Sequence, residues 1–164
     1  MLIRPEEPSD VDRLRSLTAA AFEPMRFSDG SEAEALDRLR RDGDLTLSLV
    51  AHDDHDIVGH IAFSPATIGS ESEGWFGVGP VSVTPRRQRM GIGTALMKEG
   101  LKRLRAQGAN GCVLTGDPAY YGRFGFVADG AVTYQRTPAK HIQWLAFQGT
   151  RPRGELRFSD GLQD

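Results

Sequence analysis

The chain is poor in cysteine, in net charge and in long apolar runs. Its lone Cys112 has no partner for an internal disulfide and no ligands at metal-site spacing. Neither a disulfide framework nor a metal site is expected, and a reducing, cytoplasmic setting suits it. The 20 Lys+Arg against 22 Asp+Glu leave the molecule nearly neutral, which removes any global attraction to nucleic acid or to a bilayer surface. No apolar run approaches the ~20 residues that span a membrane. Glu6, Glu7 and Asp10 follow soon after the start, unlike the opening of a signal peptide. Repeats, low-complexity stretches and linkers are absent as well. What remains is a single domain, residues 1–164, long enough for a sizeable core.

The most informative segment runs from Val83 through Thr-Pro-Arg-Arg-Gln-Arg-Met-Gly-Ile-Gly-Thr-Ala to Leu96. It combines a strand end, a basic turn and two spaced glycines that open a helix. N–H groups at a helix start have no internal partner and carry the positive end of the dipole, so Gly91 and Gly93 let an anion approach closely. Arg86, Arg87 and Arg89 add charge. Ile92, Ala95, Leu96, Gly100, Leu101 and Leu104 share one face of that helix, which stops at Gly108. A dinucleotide fingerprint fits poorly, because Pro85 and a long turn intervene and Leu96 stands where a third glycine belongs. A P-loop is excluded by the lack of Lys-Ser or Lys-Thr.

The order Val83-x-Pro85-x-x-Gln88-x-x-Gly91-x-Gly93 resembles the acyl-CoA pyrophosphate motif of the GNAT superfamily of N-acetyltransferases, and Tyr121-x-x-x-Gly125-Phe126 is similar to that family's late tyrosine and Gly-Phe. With Leu49-Val-Ala51, Val58-Gly-His-Ile-Ala-Phe-Ser-Pro65, Gly79-Pro-Val-Ser-Val83 and Gly116-Asp-Pro-Ala-Tyr-Tyr121, the chain also resembles the bacterial YhbS-like branch of that family, tightly from about Leu49 to Phe126 and more loosely outside it. The resemblance implies an α/β fold of mixed type: a mostly antiparallel central sheet, helices on both faces and one splayed parallel strand pair. It also implies acetyl-CoA as co-substrate and acetyl transfer to a primary amine, on a small molecule or a peptide. A homodimer is compatible with it. The cofactor residues it implies are Val81, Ser82 and Val83 along the pantetheine arm, and Gln88, Arg89, Met90, Gly91, Ile92, Gly93 and Thr94 around the pyrophosphate. Tyr121 is the candidate donor to the leaving thiolate. Many relatives carry a glutamate base on the strand before the turn, yet Trp75 to Val83 holds none. Water or a residue from elsewhere must serve, and a non-catalytic CoA-binding module stays open as the alternative.

Around these motifs, Leu2-Ile-Arg4 forms a first strand and Ser9 or Asp10 caps a helix with Val11, Leu14, Leu17, Thr18 and Ala21 on one face. Glu23 to Gly30 is a loop, and Ser31-x-x-Glu34 has the form of a capping box for a helix ending at Gly43. Alternation predicts a hairpin, Leu45–Ala51 with Ile57–Phe63, followed by a Gly69–Gly74 loop and a strand from Trp75 to Val83. The Gly79-Pro80 pair inside that strand calls for a bulge. A strand follows the long helix at Cys112–Thr115, a right-handed crossover, and Val132–Tyr134, Ile142–Phe147 and Glu155–Phe158 supply antiparallel strands. Cys112 and His60 are expected to be core residues, Tyr120 a packing residue, Asp117 a helix cap and Arg123 a solvated cation. Phe27, Glu32, Trp75 and Trp144 are candidates to frame the acceptor.

Overall fold

The computed structural model describes residues 1–24, 30–149 and 151–162. Its strands are β1 (Leu2–Pro5), β2 (Leu47–His52), β3 (Ile57–Ile68), β4 (Glu71–Val83), β5 (Gly111–Thr115), β6 (Val132–Thr133), β7 (Ile142–Ala146) and β8 (Gly154–Phe158). The helices are α1 (Val11–Phe22), α2 (Glu32–Asp42), α3 (Ile92–Ala106) and the single turn α4 (Pro118–Tyr121). The main sheet runs β1-β2-β3-β4-β5-β7, and every pairing along it is antiparallel except β4 with β5.

Helix α3 covers one face. Its periodic apolar residues Ile92, Leu96, Leu101 and Leu104, joined by Met97, pack with Leu49, Ile61, Phe63 and Cys112 into one core. Each side chain that is fully buried there contributes ~1.5–3 kcal/mol. Leu14 and Leu17 of α1 cover Val50 and Ile57 on the other face. Beyond α1 and α2, that second face is closed by β6, β8 and the Tyr134, Trp144 and Leu156 cluster.

Several local expectations change. Asp10 precedes α1 without capping it; a short turn over Pro8–Asp10 carries its backbone into the helix, and its carboxylate accepts from Arg4 at 2.8 and 3.2 Å and from the Glu7 N–H at 2.7 Å. Ser31 takes the N-cap place of α2 without a side-chain capping bond, and Gly43 ends the helix at φ 74 as expected. The loop expected at Gly69–Gly74 is only a tight reversal, because β3 runs on to Ile68 and β4 already begins at Glu71. The tail is not wholly antiparallel: β8 pairs antiparallel with β3, but β6 and β8 form a two-residue parallel ladder. Phe27 lies outside the described residues.

Two irregularities in β4 position the site. Val81 and Val78, three apart, face Ile61 and Phe63, two apart, so β4 carries an extra residue at Gly79-Pro80. This is the expected bulge. The parallel ladder with β5 holds only for Trp75↔Gly111, Phe76↔Cys112 and Gly77↔Val113, although both strands continue. Beyond Gly77 and Val113 the two strands diverge, and a slot opens between them.

Candidate functional site

The slot is a cavity of about 730 Å³ lined on one side by Val78, Gly79, Pro80 and Val81 and on the other by Thr115, Gly116, Asp117, Tyr120 and Tyr121. It continues, through Val81, Tyr120 and Tyr121, into a cavity of about 550 Å³ beneath the start of α3. In the opposite direction it shares Phe22, Pro80 and Thr115 with a smaller cleft of about 210 Å³, walled by α2 residues and by Tyr134 and Phe158.

Alternation along β4 decides which main-chain groups face the slot. Thr84 donates its N–H to Val58 of β3 at 2.9 Å, so Thr84 and Ser82 turn their main-chain groups to β3 while Val81 and Val83 turn theirs to the open edge. The Ser82 side chain is buried on the other face, with its hydroxyl 3.4 Å from Thr18 of α1. Of the sequence candidates, Val81, Val83, Gln88, Arg89, Gly91, Ile92, Gly93, Thr94 and Tyr121 line the cavity beneath α3. Ser82 does not reach it, and the Met90 side chain points to solvent.

The turn before α3 leaves its main-chain donors open. The first helical bond is from Ala95 to Gly91, at 3.0 Å. From Arg89 to Thr94, no main-chain N–H has a main-chain partner among the described residues. Left-handed backbone at Arg89 (φ 64) and Gly91 (φ 85) gathers these donors into one concavity. Gln88 clamps the turn by donating from Nε2 to the Val83 carbonyl at 3.0 Å. Arg87 does not serve as a loose cation, since it pairs with Asp53 of the β2–β3 turn at 2.8 Å. Asp53 is held at about 2 by N–H bonds from His55 and Asp56 and by that arginine.

Helix α4 closes the cavity from the far side. Asp117 caps it by accepting from Ala119 at 2.9 Å, as expected. Arg123 lies 4.3 Å over the Tyr120 ring and donates to the Thr94 hydroxyl at 3.3 Å, while the Tyr120 hydroxyl sits 3.5 Å from the same oxygen. Arg123 stays exposed but is held at the cavity wall, and Tyr120 lines that cavity although the sequence suggested only packing. Tyr121 stacks edge-on against Tyr120 and Phe126. Its hydroxyl has no hydrogen-bond partner among the described residues. Burial, with Tyr120 and Asp117 nearby, pushes its titration up to about 12, so it remains a neutral donor at any working pH.

Other candidates fall away. Cys112 is buried in the α3-side core and its thiol is pushed up to about 12 by that burial, which leaves no thiolate nucleophile. His60 has no solvent exposure; its Nε2 lies 2.6 Å from the Ser48 hydroxyl and 3.8 Å from Glu6, and burial lowers it to about 4. The structural reading of this histidine holds. Trp75 and Trp144 pack in the second core instead of framing an acceptor. Phe22, Tyr134 and Phe158 provide the aromatic walls, with Glu32 and Arg38 at the rim of the cleft. The sequence also passed over His141, which lines the slot.

Comparison with known proteins agrees with this geometry. Residues 2–128 match the family described as Acetyltransferase (GNAT) domain. The chain is 42% identical over 127 residues to the Escherichia coli K12 protein called Uncharacterized N-acetyltransferase YhbS, covering 77% of this chain and 73% of that one. A crystal structure of a GNAT family acetyltransferase from Brucella melitensis in complex with acetyl-CoA superposes with a TM-score of 0.88 at 46% identity, over 99% of this chain and 97% of the other. The E. coli YhbS structure in complex with CoA gives a TM-score of 0.88 at 30% identity, over 98% and 90%.

Proposed function

The chain belongs to the GNAT acetyltransferases, and from that premise we propose that it transfers an acetyl group from acetyl-CoA to a primary amine by direct attack. The observation that carries this reading is the continuity of three spaces: the concavity of unpartnered N–H groups before α3, the slot between β4 and β5, and the cleft between α2 and the β6–β8 layer. Their order matches a ligand with a pyrophosphate at one end, an extended amide-bearing arm and a thioester at the other. CoA-bound relatives of the same fold support the assignment.

The N–H groups from Arg89 to Thr94 receive the pyrophosphate, with Arg89 and Arg123 at its edge. The pantetheine arm pairs with the free edge of β4 at Val81 and Val83. The thioester then rests between Val81 and Tyr121, and the amine enters from the cleft near Glu32 and Tyr134. The Val81 N–H polarises the thioester carbonyl as negative charge develops on its oxygen. As the tetrahedral adduct collapses, the Tyr121 hydroxyl donates to the departing sulfur. A phenol at about 12 is a weaker acid than a thiol near about 8.5, so Tyr121 stabilises the thiolate by a hydrogen bond while its proton finally comes from water.

A second reading, a CoA-binding module without turnover, draws on one observation: β4 carries no carboxylate from Trp75 to Val83. Release of free thiol from acetyl-CoA, followed across a panel of primary amines and peptides, separates the two. Amine-dependent release with acetylated product supports the transferase. Tight CoA binding with no release above the hydrolytic background selects the binding module.

A further inference from the structure

Resting on the transferase reading, we propose that His141 is the base that takes the proton from the acceptor amine. His141 ends the turn Ala139–His141 and leads directly into β7, whose first residue Ile142 pairs with Thr115 at the end of β5. This antiparallel pairing brings a residue from the chain's tail to the mouth of the slot. Gly116 then holds it twice. The Gly116 N–H donates to the His141 carbonyl at 2.9 Å, and the His141 Nδ1 lies 3.0 Å from the Gly116 carbonyl. A carbonyl only accepts, so Nδ1 carries the hydrogen and Nε2 carries the lone pair. Among the described residues nothing bonds to Nε2, and the half-buried ring lines the same cavity as Val81 and Tyr121.

Gly116 also explains how the two chemical groups come together. A Cβ there would strike the Tyr121 ring, with Cε2 at 2.6 Å. The bare backbone lets Tyr121 pack on one side of this residue while its carbonyl holds the imidazole and its N–H holds the His141 main chain.

His60 and Asp117 are both engaged elsewhere. His60 lies buried under α1 with Nε2 engaged by Ser48. Asp117 lines the slot, but its Oδ1 is committed to capping α4. The other charged or titratable groups around His141 are Lys140 on its own turn, Tyr120 and Tyr121 on α4, and Glu32 and Arg38 across the cleft on α2.

The step balances as follows. The neutral amine attacks the thioester carbon, the C–N bond forms, and the nitrogen's extra proton passes to Nε2. The C–S bond breaks, sulfur leaves as thiolate under the Tyr121 hydrogen bond, the imidazolium gives its proton to water, and the thiolate takes one from water. The products are the N-acetyl amine and free CoA thiol.

The test is the pH dependence of kcat at saturating acetyl-CoA and amine, for wild type and His141→Asn. The asparagine amide keeps an N–H for the Gly116 carbonyl and removes the base. Wild type should rise with unit slope from low pH and level off at a plateau, the profile of a reaction limited by one enzyme base. His141→Asn should lose at least about 100-fold at the plateau and keep climbing past about pH 9, with acetyl-CoA affinity within about twofold. A His141→Asn profile that keeps the limb and plateau would overturn the base assignment. So would an asparagine variant that loses CoA affinity or melting temperature while its pH profile is unchanged. A wild type that binds acetyl-CoA but acetylates no amine would instead bring down the transferase reading, and the base with it.

Discussion

Replacing Gly93 by alanine separates binding from folding because the two effects have opposite signs. Gly93 is the second residue of α3, in ordinary helical backbone, so alanine favours the helix by a few tenths to about 1 kcal/mol. At this chain length that raises the melting temperature by at most about 2–4 °C. The new Cβ finds room: its nearest neighbours are the Tyr120 hydroxyl at 3.5 Å and a Val83 methyl at 3.8 Å. Both belong to the wall of the anion cavity, so the methyl occupies space that a phosphate oxygen needs to reach the α3 N–H groups at ~2.9 Å. Losing one hydrogen bond to a charged group costs ~1.5–3 kcal/mol, or about 10- to 150-fold in CoA affinity. Calorimetric titration with CoA and, as a control, with pantetheine reads the effect. Weaker CoA binding by a variant that melts no lower, with pantetheine unaffected, is the expected pattern. Unchanged CoA affinity would take the start of α3 out of the site.

Gly91→Val forces a β-branched residue to φ 85, where nothing crowds the Cβ but the backbone resists; the turn should relax and CoA affinity fall at least tenfold, or about 1.4 kcal/mol, with circular dichroism unchanged. Tyr121→Phe keeps the ring contacts and removes the donor, so turnover with a good acceptor should drop while CoA affinity stays nearly constant; equal rates would mean that the hydroxyl plays no part in thiolate departure. His60, lowered from 6.5 to about 4 in the folded chain, stays neutral where the unfolded chain takes up a proton. Its contribution is therefore complete above about pH 6.5 and is lost as pH falls towards about 4, by up to about 3 kcal/mol. Melting temperatures across that window should fall in wild type and fall less in a stably folded His60→Phe variant, and parallel curves would show that this histidine does not govern acid stability.

The parts of this site that are local in sequence were legible, and those that depend on strand pairing were not. The glycines at 91 and 93, Gln88 and the α3 periodicity all sit within one strand–turn–helix unit, where local backbone rules decide the outcome. Gly79-Pro80 announced its bulge because proline cannot donate to a ladder. The base candidate is different: His141 is separated from Gly116 by 25 positions, and nothing in Pro138-Ala-Lys-His141 marks it. Only the register of β7 on β5 brings it to the slot. A histidine immediately before a tail strand was the available signal, and it becomes useful only once that strand is known to flank β5. Tyr120 was missed for a related reason: on a single turn of helix, adjacent tyrosines diverge, and both reach the cavity. For Trp75 and Trp144 the sequence leaves wall and core open, because aromatic residues suit both, and burial alone distinguishes the two.

Amide chemical shifts recorded while ¹⁵N-labelled protein is titrated with CoA test the central claim most directly, because they report on each main-chain donor separately. Saturable shifts are expected at Gly91, Ile92, Gly93 and Thr94 and at Val81 and Val83, all with one dissociation constant, while Ser82, whose groups face β3 and α1, moves least along β4. Shifts confined to another surface, or a perturbed Ser82 between unperturbed Val81 and Val83, would contradict the placement of CoA between the splayed strands.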